Sequence, residues 1–380
     1  MKRVTLVCTH PQQYSGYAKV GYNILKKLKL EGYELNVYAI QRGTTSDDFR
    51  NDINSEINVH DVGPNESGFN FSGLPEFLKL TRTDTLIIYN DAYVISMYLH
   101  HIMQNIKMLR KLRIIAYFDQ VYEYTNPKYI ENFNKHLDSV IVFSELWKSI
   151  IVSQGLTIPV YVMPHGVDEE KVVKEQACEK LGLNPQGLYL LNLNTNQVRK
   201  RYDIFAMGVA QYFRDNPDSE LKIVLPIFEK ESFNFEEIFN NELKDSDIHY
   251  SNVVIPFEAH KMSDREVNLM YNACDIGINT CDGEGYGLCN IEHGSLGKPQ
   301  IVSNVGHFKE TDFFKLNSVC TYYVDNNRDA IGGKATIVSP NSVAKAIEYF
   351  VNNPKSRNVE YNSPKWDVSV LEKIILNDSI

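Results

Sequence analysis

The segment Gly283-Glu284-Gly285-Tyr286-Gly287-Leu288-Cys289-Asn290-Ile291-Glu292 follows an apolar run at Asp275–Asn279 and holds three glycines within five residues. Glycines let the backbone approach a ligand closely, and a helix starting near Leu288 would aim free N–H groups at an anion. Together they read as a phosphate-binding loop. Seven residues separate Glu284, in the loop, from Glu292, one to two turns into the helix. Carboxylates are poor neighbours for phosphate but good acceptors for sugar and ribose hydroxyls. A nucleotide sugar offers both beside a diphosphate. The plainer reading is a glycine-rich strand-to-helix turn with surface glutamates, common to α/β proteins.

A second cluster is Arg199-Lys200-Arg201, immediately before a helical pattern at Asp203–Ala210. Positive charge is unfavourable at a helix N-terminus, so three cations there call for an anionic partner. Other candidates read as structural. Cys289 and His293 stand four apart, but no second Cys/His pair lies near enough to complete a metal site. Asp245-Ser246-Asp247 spells D-x-D in a polar loop with no apolar strand before it, a chance match rather than a cation site. No metal and no cofactor are expected.

These residues need a frame to hold them. The 380 residues are enough for two or three domains with sizeable cores. Apolar residues make up 43% and charged residues 23%, the balance of a soluble globular chain rather than a disordered one. Lys and Arg number 39 against 48 Asp and Glu; up to Asp168 the count is 17 against 17, beyond it 22 against 31. Neither half has the broad basic face that nucleic acid needs. Any anionic ligand must be small and held by a few local cations. The six cysteines form no CxxC and no dense framework, so free thiols in a reducing compartment, the cytoplasm, are expected.

Apolar runs at Val4–Thr9, Leu35–Ile40, Thr85–Tyr89, Ile114–Phe118, Ser139–Phe143 and Val160–Met163 read as strands, with helical patterns at Ala18–Leu30, near Ala92–Leu109 and at Glu145–Gln154. After Pro164-His165-Gly166-Val167-Asp168 a second series begins. It has strands at Leu188–Leu193, Lys222–Leu225, Asn252–Ile255, Asp275–Asn279 and Gln300–Ser303, and helices at Ile204–Phe213, Asp264–Ala273 and Val343–Asn352. This is an α/β chain of two doubly wound, Rossmann-like domains, with ligands expected at the carboxyl ends of the strands. The boundaries read as 1–168, joined by a C-terminal helix over 366–380, and 169–365. No stretch approaches transmembrane length. The basic end of the first-domain helix, Lys107–Arg113, reads as solvated, with peripheral membrane contact the alternative.

The glutamate motif resembles that of the retaining glycosyltransferases of family four, which have the GT-B fold and two glutamates separated by seven residues. The resemblance extends to the glycine turn Ser15-Gly16-Tyr17-Ala18, to Pro164–Asp168, to Arg199–Arg201, to Pro299–Gly306 and to Ser363-Pro364-Lys365-Trp366, beside the last helix, which in the family returns to the first domain. Tyr89–Ala92, Tyr117–Gln120 and Asp329–Gly333 resemble a branch encoded by large DNA viruses, which would place the protein in a host cytoplasm. The resemblance implies that Glu284 holds donor-sugar hydroxyls, Glu292 holds ribose hydroxyls, and the amides of Gly285, Tyr286, Gly287 and Leu288 line sugar and phosphate. Lys200, with Arg199 or Arg201, would neutralise the leaving diphosphate. Gly16 would meet the donor from the first domain, and Asp119 stands where the family often has a sugar-contacting histidine. Asn194 and Thr195 stand where it often has an arginine. His10 and His165 are the remaining candidate histidines.

The function so implied is retaining, metal-independent transfer of a hexose from a nucleotide sugar, bound mainly by the second domain, to a glycan or other hydroxyl acceptor, whose site the first domain mostly supplies. GDP-mannose is favoured as donor and UDP-glucose comes next. The alternatives are an inactive nucleotide-sugar-binding or assembly subunit, with Thr195 and Asp119 marking the loss, and a sugar-nucleotide epimerase or phosphorylase on the same scaffold. A dinucleotide oxidoreductase fits less well, because Ser15-Gly16 is no G-x-G-x-x-G.

Overall fold

A computed structural model describes residues 2–28, 32–43, 49–108, 111–226, 231–258, 262–324 and 333–376. Leu109 and Arg110 of the basic segment, and Asp329–Gly332 of the virus-like segment, lie outside them. The chain divides into two compact units, one of Met1–Gly166, Val324–Gly333 and Trp366–Ile380, the other of Val167–Tyr323 and Lys334–Lys365.

The first unit is built on a seven-stranded parallel sheet. Its elements run β1 (Lys2–Thr9), α1 (Gly16–Lys27), β2 (Tyr33–Ile40), β3 (Asn58–Asp61), a single turn α2 (Asn65–Gly68), α3 (Leu74–Thr81), β4 (Thr85–Asn90), α4 (Ala92–Gln104), β5 (Arg113–Phe118), α5 (Pro127–His136), β6 (Ser139–Val142), α6 (Glu145–Ser153) and β7 (Val160–Val162). The strand order is β3-β2-β1-β4-β5-β6-β7. Register is set where Val4 lies opposite Leu35 on one side and Thr85 on the other. β4 and most of β1 and β5 are buried, which is why they read as continuous apolar runs rather than alternating ones. The order reverses between β1 and β4, the switch point where doubly wound sheets meet ligands. Gly16 opens the helix after β1, with the Ser15 hydroxyl accepting from the Ala18 amide at 3.2 Å. Asp91 caps the helix after β4.

The second unit repeats the plan. Its elements are α7 (Lys174–Leu181), β8 (Tyr189–Leu191), α8 (Tyr202–Asp215), β9 (Lys222–Pro226), α9 (Phe235–Glu242), a turn α10 (Tyr250–Val253), β10 (Val254–Phe257), α11 (Asp264–Ala273), β11 (Ile276–Asn279), α12 (Leu288–Ser295), β12 (Gln300–Ser303) and β13 (Phe314–Leu316). They form a six-stranded parallel sheet in the order β10-β9-β8-β11-β12-β13. β14 (Ser318–Val324) and β15 (Gly333–Val338) pair separately, and α13 (Pro340–Asn352) and α14 (Ser369–Leu376) complete the described strands and α-helices. Here the order reverses between β8 and β11. The segments following those two strands carry the cations and the glycine loop.

Two Rossmann-like α/β units in one chain are the architecture expected, and most expected strands lie within two residues of those found. β10 begins at Val254 rather than Asn252 because Tyr250–Val253 turns helical first. The edge strand β3 and the ribbon strand β14 escape a hydrophobicity reading because nearly all their residues face solvent or are half-exposed. Among the described residues no helix is long and apolar enough to cross a membrane.

α8 and α13 approach closely at Gly208, where a Cβ would lie 2.5 Å from Val343 Cβ. Gly208→Ala gains ~1 kcal/mol of helix propensity but overpacks this contact at a cost of ~1–3 kcal/mol. The urea midpoint of unfolding is expected to fall. An unchanged or raised midpoint would mean that the two helices separate at no cost.

Candidate active site

At the switch point of the second sheet, Val198–Lys200 forms a 3-10 turn after β8, and Arg201 follows with φ 51°, in the left-handed region. The Thr280 hydroxyl, just after β11, holds this turn by donating to the carbonyls of Lys200 and Arg201 at 3.1 Å each. The Asp282 amide donates to the Arg199 carbonyl at 2.8 Å. Backbone bonds therefore fix the cationic turn against the glycine loop.

The loop carboxylate meets the turn's ammonium. Glu284 is 5% exposed and Lys200 7% exposed, and Lys200 Nζ donates to Glu284 Oε2 in a short contact. Arg199 Nη1 lies 3.4 Å from Glu284 Oε1 and donates to the Gly283 carbonyl at 3.2 Å. Asn279 Nδ2 donates to Glu284 Oε2 at 3.1 Å, and Lys200 Nζ donates also to Asn194 Oδ1 at 2.9 Å. Burial alone would raise the Glu284 carboxyl, but the charges of Lys200 and Arg199 outweigh it and hold the group down to about 2. Arg201 turns elsewhere. Its guanidinium makes a paired contact with Asp203 at 2.9 and 2.6 Å. The anion that three cations at a helix start call for is thus supplied twice within the chain, by Glu284 and by Asp203.

Behind the pair runs a buried line of side-chain amides. Asn279 Nδ2 approaches Asn290 Oδ1 at 3.1 Å, Asn290 Nδ2 donates to Gln300 Oε1 at 2.9 Å, and Asn194 Nδ2 donates to Asn192 Oδ1 at 2.7 Å. Sequence reasoning missed Asn279, Asn290 and Gln300, and noted Asn194 solely as a departure from the family pattern. The signal was there: asparagines closing or following apolar strands at a switch point. Thr195, its neighbour, is exposed.

The glycine loop is held from the far side by the turn after β12. Tyr286 is buried and stacks on His307 with centroids 4.6 Å apart and planes 6° apart. Gly287 has φ +76°, and a Cβ there would sit 2.3 Å from the Phe308 ring. α12 starts at Leu288, so glycine is required where the loop turns into the helix. On α12, Glu292 is 3% exposed and accepts from the Tyr271 hydroxyl at 2.7 Å. Burial pushes its neighbour His293 down to about 3, which keeps the imidazole neutral, and pushes the Cys289 thiol up to about 11. Cys289 Sγ faces the Leu193 carbonyl at 3.7 Å and His293 Nε2 the Cys274 carbonyl at 3.4 Å. No group of three or more His, Cys, Asp or Glu among the described residues is placed to hold a metal ion.

The other two expected site residues, Gly16 and Asp119, lie in the first unit. Asp119 follows β5 and accepts from the Tyr17 hydroxyl in a short hydrogen bond. The Tyr17 ring packs on Tyr89 at 5.2 Å and Tyr89 on Tyr117 at 5.0 Å, while the Tyr117 hydroxyl donates to the Met163 carbonyl at 2.7 Å. Burial, with Asp119 beside it, pushes Tyr17 well above the ordinary tyrosine range, so its hydroxyl stays a donor at neutral pH. Tyr17 had not been singled out as a site residue; its place one residue after a glycine turn was the available sign. His10 and His165 are both buried, and His165 stacks on Trp366 at 5.9 Å.

The sequence matches no family profile and no curated protein. The fold has many solved relatives. Sucrose-phosphate synthase from Thermosynechococcus elongatus superposes with a TM-score of 0.70 at 12% identity, covering 99% of this chain and 98% of that one. HepE from Anabaena, solved in complex with UDP-glucose, gives 0.68 at 12% identity over 99% and 98%. A glycosyltransferase from Rickettsia africae gives 0.67 at 15% identity over 99% and 97%. The chain therefore has the fold of the GT-B glycosyltransferases, two Rossmann-like units in one polypeptide.

The depressed Glu284 carboxyl makes stability depend on pH with a defined sign. Between ~4.3, the ordinary value for an unfolded chain, and about 2, the unfolded state binds more protons than the native one. Stability on the order of 3 kcal/mol is then present above that window and lost as pH falls through it. In Glu284→Gln this component is absent. Unfolding free energies measured from pH 5 to pH 2 should converge between wild type and variant, and parallel curves would show that the pair contributes no such linkage.

Proposed function

We propose that the protein is a glycosyltransferase that moves a hexose from a nucleotide sugar to a hydroxyl acceptor, with retention at the anomeric carbon and without a bound metal. The observation that carries this reading is the buried contact of Lys200 and Arg199 with Glu284 at a sheet switch point, beside a glycine loop that opens a helix. Glu284 occupies its cations as a donor diphosphate would. When the diphosphate arrives, Lys200 and Arg199 exchange partners, and the released carboxylate accepts hydrogen bonds from the sugar hydroxyls. Glu292, steadied by Tyr271, accepts from the ribose.

In the transfer, the bond from the anomeric carbon to the phosphate oxygen breaks and a bond to the acceptor oxygen forms. The acceptor proton passes to the leaving phosphate. Charge accumulates on that phosphate, where fixed cations stabilise the transition state most. Neither glutamate is assigned as a nucleophile, since each has a hydroxyl-binding role. Asp119, held by Tyr17, is assigned to a substrate hydroxyl, and Gly16 to close backbone approach. Arg201, paired with Asp203, serves the donor side as a secondary cation. GDP-mannose is proposed as donor ahead of UDP-glucose, the sugar nucleotide with which Anabaena HepE was solved.

The test is a nucleotide-sugar panel scored by thermal stabilisation and slow donor hydrolysis, with and without EDTA, on wild type, Lys200→Met and Glu292→Ala. One donor should stabilise and turn over in wild type regardless of EDTA. Turnover should fall ~100–1,000-fold in Lys200→Met, the range for loss of a transition-state charge partner. Binding without turnover would favour a non-catalytic nucleotide-sugar-binding subunit, and silence toward every nucleotide sugar would sink the reading.

A second variant isolates the first unit. Tyr17→Phe removes one hydrogen bond to a charged group, worth ~1.5–3 kcal/mol of stability, and should lower transfer about tenfold or more with the melting temperature falling by several degrees. Combined with Asp119→Asn it should add almost nothing. Full additivity would separate the two residues.

A further inference from the structure

In the first unit α4 and α5 flank an open groove of about 730 Å3, in the upper part of the ~300–1,000 Å3 range of small-molecule sites. We infer that this groove binds a neutral oligosaccharide and, resting on the transferase reading above, that this saccharide is the acceptor or a part of it.

The lining selects the ligand class. Met97, Met103 and Tyr129 provide apolar surface, and Tyr93, 40% exposed, adds a second aromatic ring with a hydroxyl. Such rings combine an apolar body with a polar tip, the combination that suits a pyranose with its apolar face and its edge of hydroxyls. The polar groups are neutral donors and acceptors. Asn132 lines the groove, as do Gln104 and His100, whose Nε2 atoms lie 2.9 Å apart. The Ser96 hydroxyl is buried in the groove wall with no hydrogen-bond partner among the described residues. Burial lowers the His136 imidazole below its ordinary range, which favours its neutral form.

Other ligand classes fit poorly. No carboxylate or thiol lies among the lining residues, and the imidazoles of His100 and His136 belong to no group of three ligating side chains among the described residues that could hold a metal ion. Lys128 is the one lysine or arginine there, and its ammonium lies 4.9 Å from the centre of the Tyr129 ring, which is little to hold a diphosphate. A hydrocarbon chain would strand the amide, imidazole and hydroxyl groups away from water.

Position agrees with chemistry. Tyr93 and Lys128 are the second residues of α4 and α5. α4 begins directly after the carboxyl end of β4, where Asp91 lies, and Tyr129 is within electrostatic reach of Asp91 and Tyr93. From these first turns the groove runs the length of both helices, to Gln104 and His136 in their last turns.

The test uses the full chain with 13C-methyl methionine, titrated with maltotetraose, cellotetraose and mannotetraose. The Met97 and Met103 methyl signals, assigned with Met97→Leu and Met103→Leu, should shift saturably with one of these. Tyr93→Ala and Asn132→Phe should each weaken that binding at least tenfold, with stabilisation by nucleotide sugar unchanged. Methyl signals that stay still with all three, or unchanged affinity in both variants, would overturn the inference. A chain stabilised by a nucleotide sugar but silent to the oligosaccharides overturns the groove alone. Methyl shifts in a chain that ignores every nucleotide sugar support the groove and overturn the transferase reading.

Discussion

The second unit is organised around one costly interaction, an ammonium and a carboxylate buried against each other. Removing two charges from water costs several kcal/mol per ion, recovered only where geometry and surrounding hydrogen bonds are good. Lys200 and Glu284 meet that demand with partners from several elements: Arg199 from the 3-10 turn, Asn194 from the segment after β8 and Asn279 from the end of β11. Those partners have requirements of their own. Asn279 leans on Asn290, Asn290 leans on Gln300, and Gln300 lies so close to β11 that a Cβ on Gly277 would meet its Oε1 at 2.0 Å. A glycine inside a strand is ordinarily a weakness. Here it is the space into which the end of the amide line fits.

The two sheets share a topology and differ in what they place at the switch point. In the second unit the segments after β8 and β11 bring together cations, a carboxylate and a helix start. The corresponding segments of the first unit, with the one after β5, bring Gly16, Asp91, Asp119 and a stack of tyrosines. One unit gathers cations around a carboxylate, and the other sets carboxylates among hydroxyls and rings. The transferase proposed above would use such a division, with a nucleotide diphosphate on one side and a saccharide on the other.

The sequence was most legible where physics acts locally. Buried parallel strands announce themselves as apolar runs, and α11 was readable to the residue because Ser263 and Glu266 form a capping box. The glycine loop was legible because both its composition and its position before a helix are unusual. What escaped was pairing at long range. Nothing in the spacing of Arg199, Lys200 and Arg201 tells that two of them face Glu284, some 85 residues away, while the third folds back on Asp203. Tyr17 and Asp119 are 102 residues apart and meet through the order of the strands. Polar residues near strand ends carry no periodic signal, so the amide line stayed hidden until the register of β8, β11 and β12 was known.

Glu284 also bears on how a donor would arrive. With its carboxylate in place, the cations of the turn present little net field to the solvent, and the chain as a whole carries a formal charge of −9. An anionic donor is then not drawn in from afar, since long-range steering needs an unbalanced charge of opposite sign. Recognition begins at contact, when an incoming phosphate can replace a carboxylate bond for bond. Salt screens the repulsion between an anionic donor and the negative chain, so encounter rates rise rather than fall with ionic strength, and a bare inorganic anion gains little by entering, because the place it would fill is already held.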